Sequence, residues 1–372
     1  MLPSLQLLKE LVLNDIDLDE DSAPKLCTAM VSLKYLKKLD LSCNEIGSTG
    51  AAALADVLQS LQLLEELVLN NVNLDEDSSP KPCTEMVSLK CLKKLYLSDN
   101  IIGSIGASAL ADVLPTLQLL EELVLNSIYL GEDSAPKLCT AMVSLKYLKK
   151  LDLSCNEIGS TGASALADVL PSLQFLEELV LNDTDLDKDN APKLCTAMAS
   201  LKYLKKLDFR FGIIGSFDAV DLANVLLSLQ FLEELLLSVI ILDEDSAKKV
   251  CTAMVSLKYL KKLDLSWIVI GSTGTASLTD VLPSLQLLEE LVLRDINFDE
   301  DSARKLCTAM VSLKYLEKLN LGFIKIGSTG ASALADVLPS LPLLRHLNCD
   351  LKEDDKAKIR SKLASGVLLS CS

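Results

Sequence analysis

Residues that could do chemistry are sparse in this sequence. His346 is the only histidine, so no second imidazole is available to pair with it. No Walker loop, nucleophile elbow or HExxH helix occurs. Carboxylates come in clusters: Asp19–Glu20–Asp21, Asp75–Glu76–Asp77, Asp243–Glu244–Asp245 and Asp299–Glu300–Asp301. Such clusters could hold calcium or a basic partner, but their spacing is not that of an EF-hand loop. Acidic residues just ahead of an apolar helical run favour a helix N-terminus instead. The reading is a non-enzyme with no catalytic residue, metal ligand or cofactor site. Asn182–Asp183–Thr184 is a glycosylation sequon whose asparagine projects from a strand end; it is discounted.

Cysteines number eleven. Six of them, Cys27, Cys83, Cys139, Cys195, Cys251 and Cys307, recur every 56 residues. Equivalent places two units apart on a sheet are roughly 10 Å from each other, too far for a disulfide. They read as small buried thiols in a reducing compartment, hence a cytoplasmic protein. No CxxC pair offers a zinc site.

These residues are carried by a repeat. Leu148, Leu151, Leu153, Asn156 and Ile158 spell LxxLxLxxNxL, the leucine-rich-repeat pattern. The first leucine recurs every 28 residues from Leu8 to Leu344, giving thirteen strand starts. Two unit types alternate, one reading LxxLDLSxNxIGSTGASALADVLPSLQ and the other LEELVLNxxxLDEDSAPKLCTAMVSLK. Each unit predicts one short strand and one helix, which cannot bury both apolar faces without stacked neighbours. Ser160 or Thr161 is expected to cap one helix type. In the other, acidic residues and an early proline such as Pro136 favour the helix start. Leu138, Cys139 and Met142 are its expected buried residues. The fold expected is α/β, a curved horseshoe solenoid with a parallel sheet on the concave face and helices on the convex face. It covers 1–350, about twelve full repeats plus a degenerate last one, with a polar helix or tail over 351–372.

Composition agrees with an aliphatic core: 49% of residues are apolar and 4% aromatic. The net charge of −16 weighs against nucleic acid and anionic membrane as partners. No apolar run reaches the 18 or so residues of a membrane span. MLPSLQLLKEL does not read as a signal peptide. It matches VLPSLQFLEEL at 169–179, so the chain is expected to start within a unit, as a segment of a longer protein would.

Count the first leucine of each unit as position one. Positions two and three alternate between Glu-Glu and Lys-Lys, as in Glu65–Glu66, Lys93–Lys94, Glu121–Glu122 and Lys149–Lys150. Parallel neighbours would bring these side by side as a self-neutralising ladder. Position eight is small or polar early in the chain: Asp15, Cys43, Asn71, Asp99, Ser127, Cys155 and Asp183. It then reads Phe211, Val239, Trp267, Asp295 and Phe323. Position ten passes likewise from Asp17, Glu45 and Asn73 to Ile213, Ile241 and Val269, and position seven gains Arg210 and Arg294. Strands about 4.8 Å apart would align these residues as one apolar, arginine-flanked strip. Trp, Phe and Arg are common anchors of protein interfaces. The candidate protein-binding residues are therefore Arg210, Phe211, Ile213, Val239, Ile241, Trp267, Val269, Arg294 and Phe323. The alternative is a repacked loop where the repeat asparagine is lost.

The stretch LDLSCNEIGSTGASALADVLPSLQFLEEL is similar to the ribonuclease-inhibitor-type leucine-rich repeat, a subfamily found in NOD-like receptors, the inhibitor itself and Ran GTPase-activating protein. The resemblance spans residues 2 to 350. It implies a protein-interaction scaffold, namely the ligand-sensing or autoinhibitory repeat region of a NOD-like receptor in innate immunity. A GTPase-activating regulator and a free-standing enzyme inhibitor are the alternatives. The implied partners are proteins on the concave face or adjacent loop edge, or an upstream domain of the same chain, with no nucleic acid and no membrane insertion. Two departures stand out. The repeat asparagine is present at Asn44, Asn100 and Asn156 but becomes Gly212, Ile268 and Ile324. Where the subfamily often has cysteine, this chain has Ile16, Val72, Ile128, Thr184, Ile240 and Ile296.

Overall fold

The fold is given by a computed structural model. It describes residues 4–184, 188–210, 219–238, 242–296, 298–324 and 326–370. The chain divides into two compact units, residues 1–201 and 202–372.

The first unit alternates strands and helices: β1 (Glu10–Val12), α1 (Ala23–Met30), β2 (Lys38–Asp40), α2 (Gly47–Leu58), β3 (Glu66–Val68), α3 (Pro80–Glu85), β4 (Lys94–Tyr96), α4 (Gly103–Val113), β5 (Glu122–Val124), α5 (Ala135–Ala141), β6 (Lys150–Asp152), α6 (Gly159–Val169), β7 (Glu178–Val180) and α7 (Ala191–Met198). The second continues with β8 (Lys206–Phe209), α8 (Ala219–Ser228), β9 (Glu234–Leu237), α9 (Glu244–Met254), β10 (Lys262–Asp264), α10 (Gly271–Val281), β11 (Glu290–Val292), α11 (Glu300–Ala309), β12 (Lys318–Leu321), α12 (Gly327–Val337), β13 (His346–Cys349), α13 (Glu353–Lys362) and β14 (Leu368–Ser370). Within each unit every strand pairs in parallel with the next, equivalent residue against equivalent residue, as in Leu39↔Leu67 and Leu263↔Leu291. This is the expected leucine-rich-repeat solenoid.

The leucine pattern explains the core. A strand sends alternate side chains to opposite faces, so positions four and six point inward together. Leu36, Leu39 and Leu41 are at most 1% exposed, and Leu260, Leu263 and Leu265 at most 3%. Each fully buried leucine contributes roughly 1.5–3 kcal/mol. The helices supply the facing layer: Leu166, Ala163 and Ala167 from α6, and Leu138 and Cys139 from α5, with Met142 just beyond it.

Ser160 and Thr161 do not cap α6. The helix starts one residue earlier, at Gly159, and its N-cap is Ile158, with no side-chain cap bond. Gly159 sits at φ +64, a left-handed value that only glycine adopts without cost. Gly162 is required for a different reason. A Cβ there would lie 2.7 Å from Ala135 Cβ of the preceding repeat, so its absence lets neighbouring helices close up. At the C-terminal end Ile359 of α13 is fully buried. Leu368–Ser370, from a stretch the repeat pattern does not reach, forms β14 and pairs with β13.

Candidate functional site

The strand-to-helix loops are where the two units differ. In the first unit the repeat asparagine is a clamp. Asn100 Nδ2 donates to the carbonyls of Leu69 (2.7 Å), Leu97 (2.9 Å) and Ser98 (3.1 Å). Its Oδ1 accepts from the amides of Val72 and Leu74, both at 3.2 Å. Asn44 and Asn156 repeat the same pattern. Each asparagine thus ties its own loop to the loop of the repeat before it. Thr184 Oγ1 reaches Asn182 O at 3.3 Å and Leu153 O at 3.4 Å, a partial substitute.

In the second unit the apolar replacements Ile268 and Ile324 are 4% and 0% exposed. The backbone then bonds to itself. Leu242 N donates to Val269 O at 2.9 Å, Phe298 N to Ile296 O at 3.0 Å, and Ile326 N to Ile324 O at 3.0 Å. The loop keeps its course at position eight, however. That residue has φ between +49° and +60° in every described repeat that has a value, from Asp15 to Phe323. Asp and Asn tolerate this left-handed region, and bulky residues do so at a cost. Trp267 (φ +55) and Phe323 (φ +60) are therefore strained positions occupied by aromatic side chains.

These two rings bracket one cation. Arg294 places its guanidinium carbon 5.2 Å from the Trp267 ring centroid and 4.6 Å from that of Phe323. Each such contact contributes about 0.5–1 kcal/mol at an exposed site. Phe323 is 51% exposed and Val269 53%, while Trp267 and Arg294 are half-buried. Phe323 N donates to Asp350 Oδ2 at 2.7 Å, which fixes the backbone under the ring. Four of the nine expected strip residues, Phe211, Ile213, Val239 and Ile241, lie outside the described residues. Arg210 is described and stands apart from the stack. Its Nε and Nη2 bond the buried Asp208 carboxylate at 3.0 and 2.8 Å, and that hydrogen bond pushes the guanidinium pKa further up. Exposed apolar residues also occur at position ten of the first unit, at Ile101 and Tyr129.

The other candidates have structural employment. Lys38–Glu66 (2.6 Å), Lys94–Glu122 (2.7 Å) and Lys262–Glu290 (2.9 Å) form the expected charge ladder. Hydrogen bonds from Lys37 and Lys93 hold the Glu65 carboxyl down at about 2. In the acidic clusters the residues divide the work. Asp243 and Asp299 cap their own helices through Ser246 N and Ser302 N. Glu20 and Glu300 reach across to the next helix start, bonding Thr49 N at 3.2 Å and Thr329 N at 3.3 Å. The six periodic cysteines are buried. Burial pushes Cys27 up to about 11 and Cys83, Cys139, Cys251 and Cys307 to about 12. His346 is exposed on β13. Among the described residues no group of side chains could hold a metal, and no helix is long and apolar enough to cross a membrane.

One surface feature goes beyond the strip. The residue just before the first leucine is large, apolar and exposed in every repeat but the one that starts at Leu92, where it is the half-buried Cys91. In the first unit it is Leu7, Tyr35, Leu63, Leu119, Tyr147 and Phe175, between 43% and 77% exposed. In the second it is Tyr203, Phe231, Tyr259, Leu287, Tyr315 and Leu343, between 38% and 57%. The signal was present in the 28-residue alignment, at position zero, outside the pattern that defines the strand.

A family model described as Leucine Rich repeat matches residues 32–55, 88–111, 144–167 and 312–335. The fold is similar to that of an internalin from Listeria monocytogenes, at 17% identity and TM-score 0.62, over 100% of this chain and 87% of the internalin. It is also similar to a leucine-rich-repeat protein of Leptospira interrogans, at 23% identity and TM-score 0.54, over 92% of this chain and 86% of the other. Comparison with curated protein sequences gives no match. The fold is that of a leucine-rich-repeat solenoid, and four of its repeats match the family model. The matches do not single out the ribonuclease-inhibitor type or a NOD-like receptor.

Proposed function

We propose that this chain is a non-enzymatic protein-interaction scaffold of the cytoplasm, serving as the ligand-sensing or autoinhibitory repeat region of a NOD-like-receptor-type protein. The observation that carries the binding role is the Trp267–Arg294–Phe323 stack. Two aromatic side chains occupy backbone positions that elsewhere take Asp, Asn, Ser or Cys. Strain of this kind persists where the surroundings over-determine it, and it concentrates at binding sites. The rings and the cation are pre-ordered, so a partner loses little side-chain entropy in engaging them. Val269 extends the apolar surface, and Arg210, Phe211, Ile213, Val239 and Ile241 belong to the same proposed region. The NOD-like-receptor assignment rests on the repeat resemblance. The charge ladder, capping carboxylates and buried thiols are each explained by a structural role.

The test separates folding from binding. Truncating an exposed anchor changes stability by about 0.5 kcal/mol or less, whereas truncating a buried aromatic costs roughly 3–5 kcal/mol. Trp267 is half-buried against Arg294, so Trp267→Ala is expected to cost about 1 kcal/mol, well short of a core aromatic, and iodide should quench Trp267 fluorescence. Peptides selected from a random library on the wild-type chain should lose at least about tenfold in affinity on Trp267→Ala or Phe323→Ala, with His346→Ala as the neutral control. A blue-shifted, unquenched emission with a large loss of stability would move Trp267 into the core and end this reading.

A further inference from the structure

The loop edge that leads into the strands has a different chemistry from the rest of the surface. Each repeat contributes a six-residue stretch such as Val31–Leu36, Pro171–Leu176 or Val255–Leu260. None of these stretches contains a carboxylate, in a chain with 52 of them. They carry six lysines instead: Lys34, Lys90, Lys146, Lys202, Lys258 and Lys314. All six are exposed, and five of them adjoin an exposed tyrosine, namely Tyr35, Tyr147, Tyr203, Tyr259 and Tyr315, while Lys90 adjoins Cys91. Around that row stand further exposed apolar residues, Val31, Val143, Val255 and Val311. The strand-to-helix edge is the reverse, rich in Asp and Glu. The net charge of −16 therefore describes the molecule as a whole and misdescribes this edge.

We propose that this lysine- and tyrosine-bearing edge docks on an anionic lipid surface, as a peripheral contact without insertion. Three observations select that occupant. First, tyrosine, phenylalanine and leucine interleaved with lysine suit the headgroup boundary, where rings sit at the interface and ammonium groups meet lipid phosphates. Second, the same chemistry returns every second repeat, roughly 10 Å along the sheet. A laterally uniform partner such as a bilayer can use such a row at every step, whereas a single folded protein seldom repeats its own surface in register. Third, a second copy of the chain is disfavoured, because pairing edge to edge would set lysine against lysine with no carboxylate between them. The aromatic members are already ordered: Phe231 and Tyr259 stack with centroids 5.9 Å apart. Each compact unit carries the row by itself. The proposal is independent of the Trp267 reading, which concerns the other loop edge.

Cosedimentation of the full chain with vesicles tests it, comparing phosphatidylcholine alone with a mixture containing about 30% phosphatidylserine. Binding is expected only to the anionic mixture, and high salt should reverse it. Changing the six lysines to glutamine should weaken partition at least about tenfold. Tyr35→Ser with Tyr147→Ser and Tyr259→Ser should weaken it further at unchanged helical circular dichroism. Trp267→Ala should bind vesicles like wild type, so failure of one reading is distinguishable from failure of the other. Equal binding to neutral vesicles, or no loss in the glutamine variant, would overturn the proposal. Capture by soluble polyglutamate without vesicle binding would overturn it in favour of an acidic protein partner.

Discussion

Asn100 and Ile268 occupy the same place in the repeat, one in each compact unit, and their loops are held by different means. Around Asn100, one buried amide satisfies five backbone groups belonging to two successive repeats. Around Ile268 the backbone finds its own partners, and a buried aliphatic side chain fills the space. The leucine positions are equally buried in both units. The strand-and-helix frame therefore depends on the leucines, and the loop is free to change how it is secured. The same exchange accompanies a change in what the loop displays. At position eight the loops of the first unit expose Asp15, Cys43 and Asp99, whereas Trp267 and Phe323 take that place in the second.

The largest expected effect comes from breaking the clamp. Asn100→Ala orphans the carbonyls of Leu69 and Leu97 and the amides of Val72 and Leu74 in a buried setting, while Ser98 O keeps its bond from Asn71 N, and each unsatisfied group costs about 1–3 kcal/mol where water does not reach it. With partial relaxation the loss should be at least about 3 kcal/mol, read as a shift in the denaturant midpoint. The reciprocal change, Ile324→Asn, should also destabilise. Its neighbours Phe298 N and Ile326 N are already bonded to carbonyls, so a new buried amide would find few partners. If Asn100→Ala cost less than about 1 kcal/mol, the two loop types would be interchangeable in energy as well as in shape.

Much of this was legible in the sequence, because the period is strict. Strand starts, the buried leucines and the lysine–glutamate ladder all follow from residues 28 apart. What was not legible depends on which atoms meet across repeats. The capping of α6 was misassigned to Ser160 or Thr161, since hydroxyls beside a helix start usually cap. The left-handed Gly159 begins the helix instead, and in the equivalent α2 and α12 the carboxylates of Glu20 and Glu300 from the preceding repeat reach the first turn. Arg210 and Arg294 look alike in the alignment. Asp208, two residues back, claims the first, and no equivalent acid stands behind the second, where Val292 takes that place. The exposed row at position zero was missed because an apolar residue beside a core leucine reads as more core.

A second expectation concerns helix spacing. An alanine Cβ at position 162 would lie 2.5 Å from Ile158 Cγ2 and 2.7 Å from Ala135 Cβ. At position 330 the nearest atoms are Ile326 Cβ at 3.1 Å and Ala303 Cβ at 3.5 Å. Overpacking typically costs 1–3 kcal/mol, set against a gain of about 1 kcal/mol from replacing glycine within a helix. Gly162→Ala should therefore destabilise by roughly 1–2 kcal/mol, while Gly330→Ala should lie near neutral. Equal losses at both sites would mean that α5 and α6 pack at the same separation as α11 and α12 after all.

The smallest effect tests whether the two loop types share one backbone. Ser127 has φ +54 in the first unit and Trp267 has φ +55 in the second. A left-handed residue other than glycine costs roughly 1–2 kcal/mol, and glycine at such a site costs little. Glycine and alanine variants of the same residue lose the same side-chain contacts apart from one methyl group. Their difference therefore isolates the backbone term. Trp267→Gly should be more stable than Trp267→Ala by about 1 kcal/mol, and Ser127→Gly should exceed Ser127→Ala by the same margin. The flexibility of glycine in the unfolded chain works against this gap, and it does so equally at both sites. A gap at Ser127 with none at Trp267 would show that the aromatic loop relaxes out of the left-handed region in solution. The Trp267–Arg294–Phe323 stack would then lose the strain that marks it as a site.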